Sequence, residues 1–177
     1  MLNLEMGNTA EILAIALKAK PDFVCMVPEN REEVTTEGGL DVAGQREALK
    51  ATVGALEANG TRVSMFIDPD PAQVRASAEI GASMIELHTG TFANHLGAQR
   101  AAEVERLKAA AELGHEAVAG ELGLRRDAHQ VEHRRREVEV AAVGVDAPRR
   151  HARDHEEERH AHQLLPELEA VAVVVVL

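Results

Sequence analysis

Three carboxylates and one imidazole, Glu5, Asp68, Glu86 and His88, sit at or near the ends of short β-prone runs in a pattern that sends them to one side of a sheet. Strand side chains alternate faces, so parity decides direction. In residues 2–6 the apolar set Leu2, Leu4 and Met6 leaves Asn3 and Glu5 on the other face. In 62–68 the set Val63, Met65 and Ile67 leaves Ser64, Phe66 and Asp68 opposite, and in 84–89 Ile85 and Leu87 leave Met84, Glu86 and His88 opposite. If helices cover the apolar face, the polar set gathers near the C-terminal strand ends, where barrel enzymes react. Carboxylates crowded in a partly desolvated pocket favour the protonated form of at least one, which provides a general acid and a general base together near neutral pH. The same groups also read as buried ion pairs or hydrogen-bonded supports, since structural networks perturb titration too. Agreement of three strands in parity argues for the set more than for each member.

The loop over residues 33–40 carries a separate argument. Thr35 and Thr36 offer hydroxyl and backbone donors, and Gly38-Gly39 permits close backbone approach or positive φ before a helix start. That setting suits an anionic or hydroxylated ligand, and it also suits an ordinary βα loop with turn glycines. None of the strand ends carries a lysine, so a Schiff-base mechanism finds no candidate here. Cys25, the single cysteine, lies inside an apolar run and reads as a small core residue. In the tail, His151 and His155 stand at i, i+4 with His160 and His162 beyond, but the Arg-rich surroundings favour a solvated charged segment over a metal site.

Positioning these groups requires alternating strands and helices, and residues 1–114 show that alternation, the signature of parallel βα units. Strands are expected at 2–6, 23–28, 62–68 and 84–89. Asn8 with Glu11 makes a capping-box-like start, Ile12, Ile15 and Ala19 recur at helical spacing, and Lys20-Pro21 stops that helix. A second helix is expected from near Asp41 to Asn59-Gly60 with Leu49, Val53 and Leu56 on one face. Asp70-Pro71 caps a third that closes at Gly81, and a fourth over 97–114 buries Val104, Leu107 and Ala111. Beyond about Val118 the character changes: lysine is absent after Lys108 and aromatics after Phe92, while Arg and His cluster at Arg125-Arg126 and His133-Arg134-Arg135-Arg136. Residues 138–143 alternate weakly, and no fifth capped βα unit follows.

The chain's 177 residues and 45% hydrophobic content suffice for one domain with a substantial core but fall short of the roughly 250 residues of a whole (β/α)₈ barrel. A net charge of −11 repels nucleic-acid backbones and anionic membrane surfaces on average. One cysteine allows no intrachain disulfide and fits a reducing, cytoplasmic compartment. The N-terminal residues lack the basic region and apolar core of a signal peptide. The apolar run 170–177 is far shorter than the roughly 20 residues of a membrane span and reads as a β-prone end.

Taken in order, Asn3-Leu4-Glu5-Met6, Val27-Pro28-Glu29, the run from Glu33-Val34-Thr35-Thr36-Glu37-Gly38-Gly39-Leu40-Asp41 to Arg46, Phe66-Ile67-Asp68 and Ile85-Glu86-Leu87-His88-Thr89-Gly90 resemble the pyridoxine 5'-phosphate synthase family of vitamin B6 biosynthesis. The resemblance runs from Met1 to about Glu116. It implies a partial TIM (β/α)₈ barrel, strands three to six with their helices, over residues 1–116, and an atypical tail over 117–177. It also implies a condensation of 3-amino-2-oxopropyl phosphate with 1-deoxy-D-xylulose 5-phosphate that closes a pyridine ring with loss of phosphate and water. The partners implied are thus phosphorylated small molecules, with no metal or organic cofactor, and the full-length family is a homo-oligomer. By position, Glu5 matches the general base, Thr35 a substrate-binding hydroxyl and Glu86 a transition-state-stabilising residue, with Asn3, Asp68 and His88 in support. The family's first two strands, with further catalytic and phosphate-binding groups, would precede Met1. Its later Ala-Gly-His-Gly and Gly-His turns have no match in Gly123-Leu124-Arg125-Arg126-Asp127-Ala128-His129-Gln130, so the acid role is not carried over to His129. The tail is therefore expected to be read from a shifted or rearranged frame and to be loosely docked, apart from a possible helix or strand within 164–177. A non-catalytic remnant of the enzyme and another phosphate-using barrel lyase are the rival readings.

Overall fold

The computed structural model of the chain describes residues 1–122 and 172–176. Four parallel strands, β1 (Asn3–Met6), β2 (Phe23–Met26), β3 (Arg62–Ile67) and β4 (Met84–His88), are hydrogen-bonded in sequence order. The helices between and after them are α1 (Ala10–Ala19), α2 (Arg46–Ala58), α3 (Pro71–Glu79), the short α4 (Gly90–Asn94) and α5 (Gly97–Leu122). A fifth strand, β5 (Ala172–Val176), runs antiparallel along β4. The arrangement is an α/β sheet with helical crossovers, consistent with part of an α/β barrel. The β-prone end expected from the sequence forms this strand. Half a barrel would leave two open sheet edges, but β5 occupies the β4 edge, so β1 carries the open one among the described residues. No helix among those residues is long and apolar enough to cross a membrane. The weakly alternating residues 138–143 and the histidines of the tail, His129 included, lie outside the described residues.

The helix starts differ from expectation in instructive ways. α1 is capped by Thr9, not Asn8: Thr9 has extended backbone angles and its Oγ1 accepts the Ile12 N–H at 3.3 Å. Asn8 instead accepts from Thr52 Oγ1 at 2.6 Å, tying the start of α1 to α2. α2 begins at Arg46 instead of near Asp41 because the Asp41 carboxylate holds a turn, accepting from the Gly44 N–H (3.0 Å) and from Gln73 Nε2 (2.9 Å). Asp70 caps α3 as its sequence implies, accepting the Ala72 N–H, with Pro71 in the first turn. α5 runs past Gly114, whose helix cost of about 1 kcal/mol is offset by the Ala, Glu and Leu around it.

One face of the sheet carries the core. Strand register aligns Met6, Met26, Met65 and Ile85 in one row, with Leu4, Val24 and Val63 in a second and Ile67 beside Leu87 in a third. Against these rows pack Ala16, Leu49, Val53, Leu56, Val74 and Ala110 from the helices. The predicted α2 face is fully buried. On α5, Leu107 and Ala111 pack at the edge of the cluster and Val104 is half-buried, while the deepest residue is Ala110.

Candidate functional site

Among the described residues the opposite face has no helix over it, and its rows carry the polar groups. Register places Glu5 beside Cys25, Cys25 beside Ser64 and Ser64 beside Met84, with Phe66 beside Glu86 one row further on. Glu5 is exposed and Glu86 half-buried. Cys25 is buried, but its surroundings are not the apolar cluster. Burial pushes the thiol well above its ordinary range, the charge of Glu86 and a hydrogen bond to that carboxylate push the same way, and Glu5 adds to them. Cys25 is therefore a neutral S–H, with the Glu5 and Glu86 carboxylates on its side of the sheet. Ser64, between them in the sheet, is buried and its hydroxyl makes no hydrogen bond of regular geometry, so its small opposing effect on the thiol carries little weight. Cys25 is the small buried residue that the sequence reading makes it, but it lies on the polar face of the sheet, in register with Glu5. The missed signal was parity: Val24 and Met26 belong to the covered face, so Cys25 had to face Glu5. An unbroken apolar run hid it.

At the C-terminal strand ends Asp68 and His88 form a pair, His88 Nδ1 lying 3.1 Å from Asp68 Oδ1. The other carboxylate oxygen of buried Asp68 accepts the Gly39 N–H at 3.2 Å. The carboxylate orients the imidazole through Nδ1 and leaves Nε2 directed away from Asp68. The ring is held on several sides. Phe66 meets it edge-on at 5.3 Å, and a Cβ on Gly38 or Gly90 would come within 3.2 or 2.7 Å of its Cε1. Asn3 shares the face of Glu5 but stands exposed at the N-terminal end of β1, away from this pair.

The Thr35 loop is pinned to β3. The Leu40 N–H donates to the Phe66 carbonyl (2.8 Å), Thr35 N–H to the Gly39 carbonyl (2.8 Å), and Gly38 N–H to Thr35 Oγ1 (3.3 Å). The N–H groups of both glycines are engaged, that of Gly38 by Thr35 Oγ1 and that of Gly39 by Asp68, while the close approach and positive φ expected of the pair are both present. Gly38 supplies a positive φ of 118°, and Gly39 supplies close approach, since a Cβ there would lie 2.4 Å from the Asp68 nitrogen.

Beneath the loop lies a pocket of about 370 Å³ lined by Thr35, Thr36, Glu37, Asp41, Asp68, Asp70, Gln73 and Arg106 among others. It excludes Glu5, Glu86 and His88, which stand on an open sheet face without a second wall; Asp68 is the residue common to both regions. Arg106 escaped the sequence reading, which took α5 for its apolar stripe. Its Nη1 pairs with Glu37 at 2.7 Å and Glu103 at 3.2 Å. Burial works to lower the guanidinium's affinity for its proton, but the two carboxylates outweigh that and raise it. Among the described residues no group of three or more His, Cys, Asp or Glu could hold a metal ion.

Comparison with known proteins adds a second line. The family model described as pyridoxal phosphate biosynthesis protein PdxJ matches residues 1–142, beyond the point near Glu116 where the motif resemblance ends. A protein of Akkermansia muciniphila named pyridoxine 5'-phosphate synthase is 59% identical over 114 residues, 64% of this chain and 46% of the relative. One of the same name from Zymomonas mobilis is 55% identical over 112 residues, 63% and 44% of the two chains. Another from Synechococcus sp. (strain CC9605) is 47% identical over 146 residues, 82% and 57%. The chain spans about half the length of the curated relatives it matches.

Proposed function

The chain belongs to the family described as pyridoxal phosphate biosynthesis protein PdxJ, and from that premise we propose that it supplies the middle segment, strands three to six, of a TIM-barrel pyridoxine 5'-phosphate synthase. The reaction of the proposed whole joins 3-amino-2-oxopropyl phosphate to 1-deoxy-D-xylulose 5-phosphate and closes the pyridine ring with loss of phosphate and water. Glu5 is the general base, Glu86 stabilises charge in the transition state, and Thr35 holds a substrate hydroxyl. Asp68 and His88 support the site at the strand ends, and Asn3 extends its polar face. The observation that carries this reading is the placing of Glu5, Glu86 and His88 on one face of a parallel sheet, with the Asp68–His88 pair at its C-terminal strand ends. The reading extends to a cytoplasmic, homo-oligomeric enzyme and to a division near residue 116, after which the tail is read from another frame. Translation of the coding DNA in the other frames, searched for Ala-Gly-His-Gly and Gly-His turns, checks that division.

Because an acid, a base and anion-binding groups must be held together for the condensation, this chain alone is expected to show little or no ring-closing activity. The test places residues 1–116 in the complete barrel of a relative. That hybrid should close the ring, and Glu5→Gln in it should lower turnover about 10²- to 10⁴-fold with the unfolding transition unchanged. Near-normal turnover of the variant removes Glu5 from the base role, and a folded but inactive hybrid removes the reading itself.

A further inference from the structure

We infer that Arg106 is the positioning residue of the Thr35 loop, holding it in place over the pocket from the side of α5. The inference rests on the proposed role of Thr35 and adds what orders it. The loop is tethered twice. One tether is buried: Gly39 N–H to Asp68, with Gly38 against the His88 ring. It fixes the end of the loop that joins β3. The other acts at Glu37, two residues after Thr35, whose Oε2 accepts from Arg106 Nη1 (2.7 Å) and from Thr91 Oγ1 (3.4 Å). One carboxylate oxygen thus joins the loop, α4 and α5. Thr91 contributes little at that distance, so the guanidinium carries the second tether. Glu103, one turn earlier on α5, holds the same nitrogen at 3.2 Å and aims it at the loop before Glu37 arrives. Arg106 and Glu37 are 30% and 33% exposed, too dry to be a freely solvated pair and too wet to resist salt. Without Arg106, Glu37 would face Asp41, Asp68 and Asp70 around the same pocket with no cation among the lining residues given for it to offset them. The loop's own backbone bonds, Thr35 N–H to Gly39 and Gly38 N–H to Thr35 Oγ1, close a short ring that needs an outside anchor to keep its tilt.

Amide hydrogen exchange on the full chain tests this. Arg106→Gln should speed exchange at Thr35 and Gly38 about threefold to fivefold while the amides of β3 stay unchanged, and high salt should produce part of that change in the unmodified chain. The exchanged pair Arg106→Glu with Glu37→Arg should restore protection, which a general loosening of α5 would not allow. Unchanged loop exchange in Arg106→Gln, or no recovery in the exchanged pair, overturns the inference. A second arm measures binding of 1-deoxy-D-xylulose 5-phosphate to the complete-barrel hybrid carrying the same substitutions, expected to weaken by a similar factor in Arg106→Gln and to recover in the pair. If the unsubstituted hybrid folds but does not bind that compound, the role proposed for Thr35 fails, while the exchange measurement still decides whether Arg106 orders the loop.

Discussion

On the helix-covered face of the sheet Met6, Met26, Met65 and Ile85 stand side by side, nearly all solvent removed; on the other face the neighbouring row is Glu5, Cys25, Ser64 and Met84. The strands are the same and so are the hydrogen bonds between them. The covered row is made of residues whose burial each contributes roughly 1.5–3 kcal/mol. The polar row keeps a carboxylate in water at one end and buries a thiol and a hydroxyl in its middle. A helix laid over that row would strip water from Glu5 without offering it a partner, at a cost of several kcal/mol. The difference teaches that the sheet is two-sided: among the described residues one side packs against the helices and holds the fold together, and the other carries the polar groups of the candidate site.

The comparison breaks most readily on the covered side. Met65→Ala should lower the unfolding free energy of the full chain by about 2–5 kcal/mol in chemical denaturation, against a change within about 0.5 kcal/mol for Glu5→Gln across the sheet. A similar loss from both would mean that the polar face carries the fold as well.

A smaller effect separates glycines by what lies beside them. Gly39→Ala forces a methyl group into the β3 backbone and should cost about 1–3 kcal/mol. Gly54→Ala on α2, where nothing lies within 4 Å, should stabilise by about 0.4–1 kcal/mol. Thermal melts of the two variants moving in the same direction would contradict the close approach of the loop to Asp68.

The smallest effect sharpens the account of the polar row. Burial and the adjacent carboxylates hold the Cys25 thiol protonated above its ordinary value of 9.0. Below that pH the thiol is neutral folded or unfolded and contributes no pH dependence. Above it the unfolded chain releases the proton and the folded chain does not, so stability falls as pH rises, by at most about 1.4 kcal/mol per pH unit. Cys25→Ala should lose this component, leaving a shallower decline between pH 9 and 10.5 in denaturant titrations. Equal slopes would place the thiol elsewhere than between Glu5 and Glu86.

Much of this was fixed by local pattern. Alternation in three short runs assigns Glu5, Asp68, Glu86 and His88 to one face, because a period of two leaves no freedom once one side is apolar. Asp70-Pro71 announced α3 and the 49, 53, 56 spacing announced the buried side of α2 for the same reason: capping and helical periodicity are settled within a few residues. What escaped was whatever depends on residues far apart in the chain. Asp41 holds a turn instead of starting a helix because Gln73, on α3, reaches it. Gly39 donates to Asp68 because β3 passes beside the loop. Arg106 meets Glu37 only because α5 packs back beside the loop. Local sequence determines which elements form and which way their side chains face, since those energies are short-ranged. Which charged and polar groups become partners is decided by packing, which alone sets the distances on which their interaction depends.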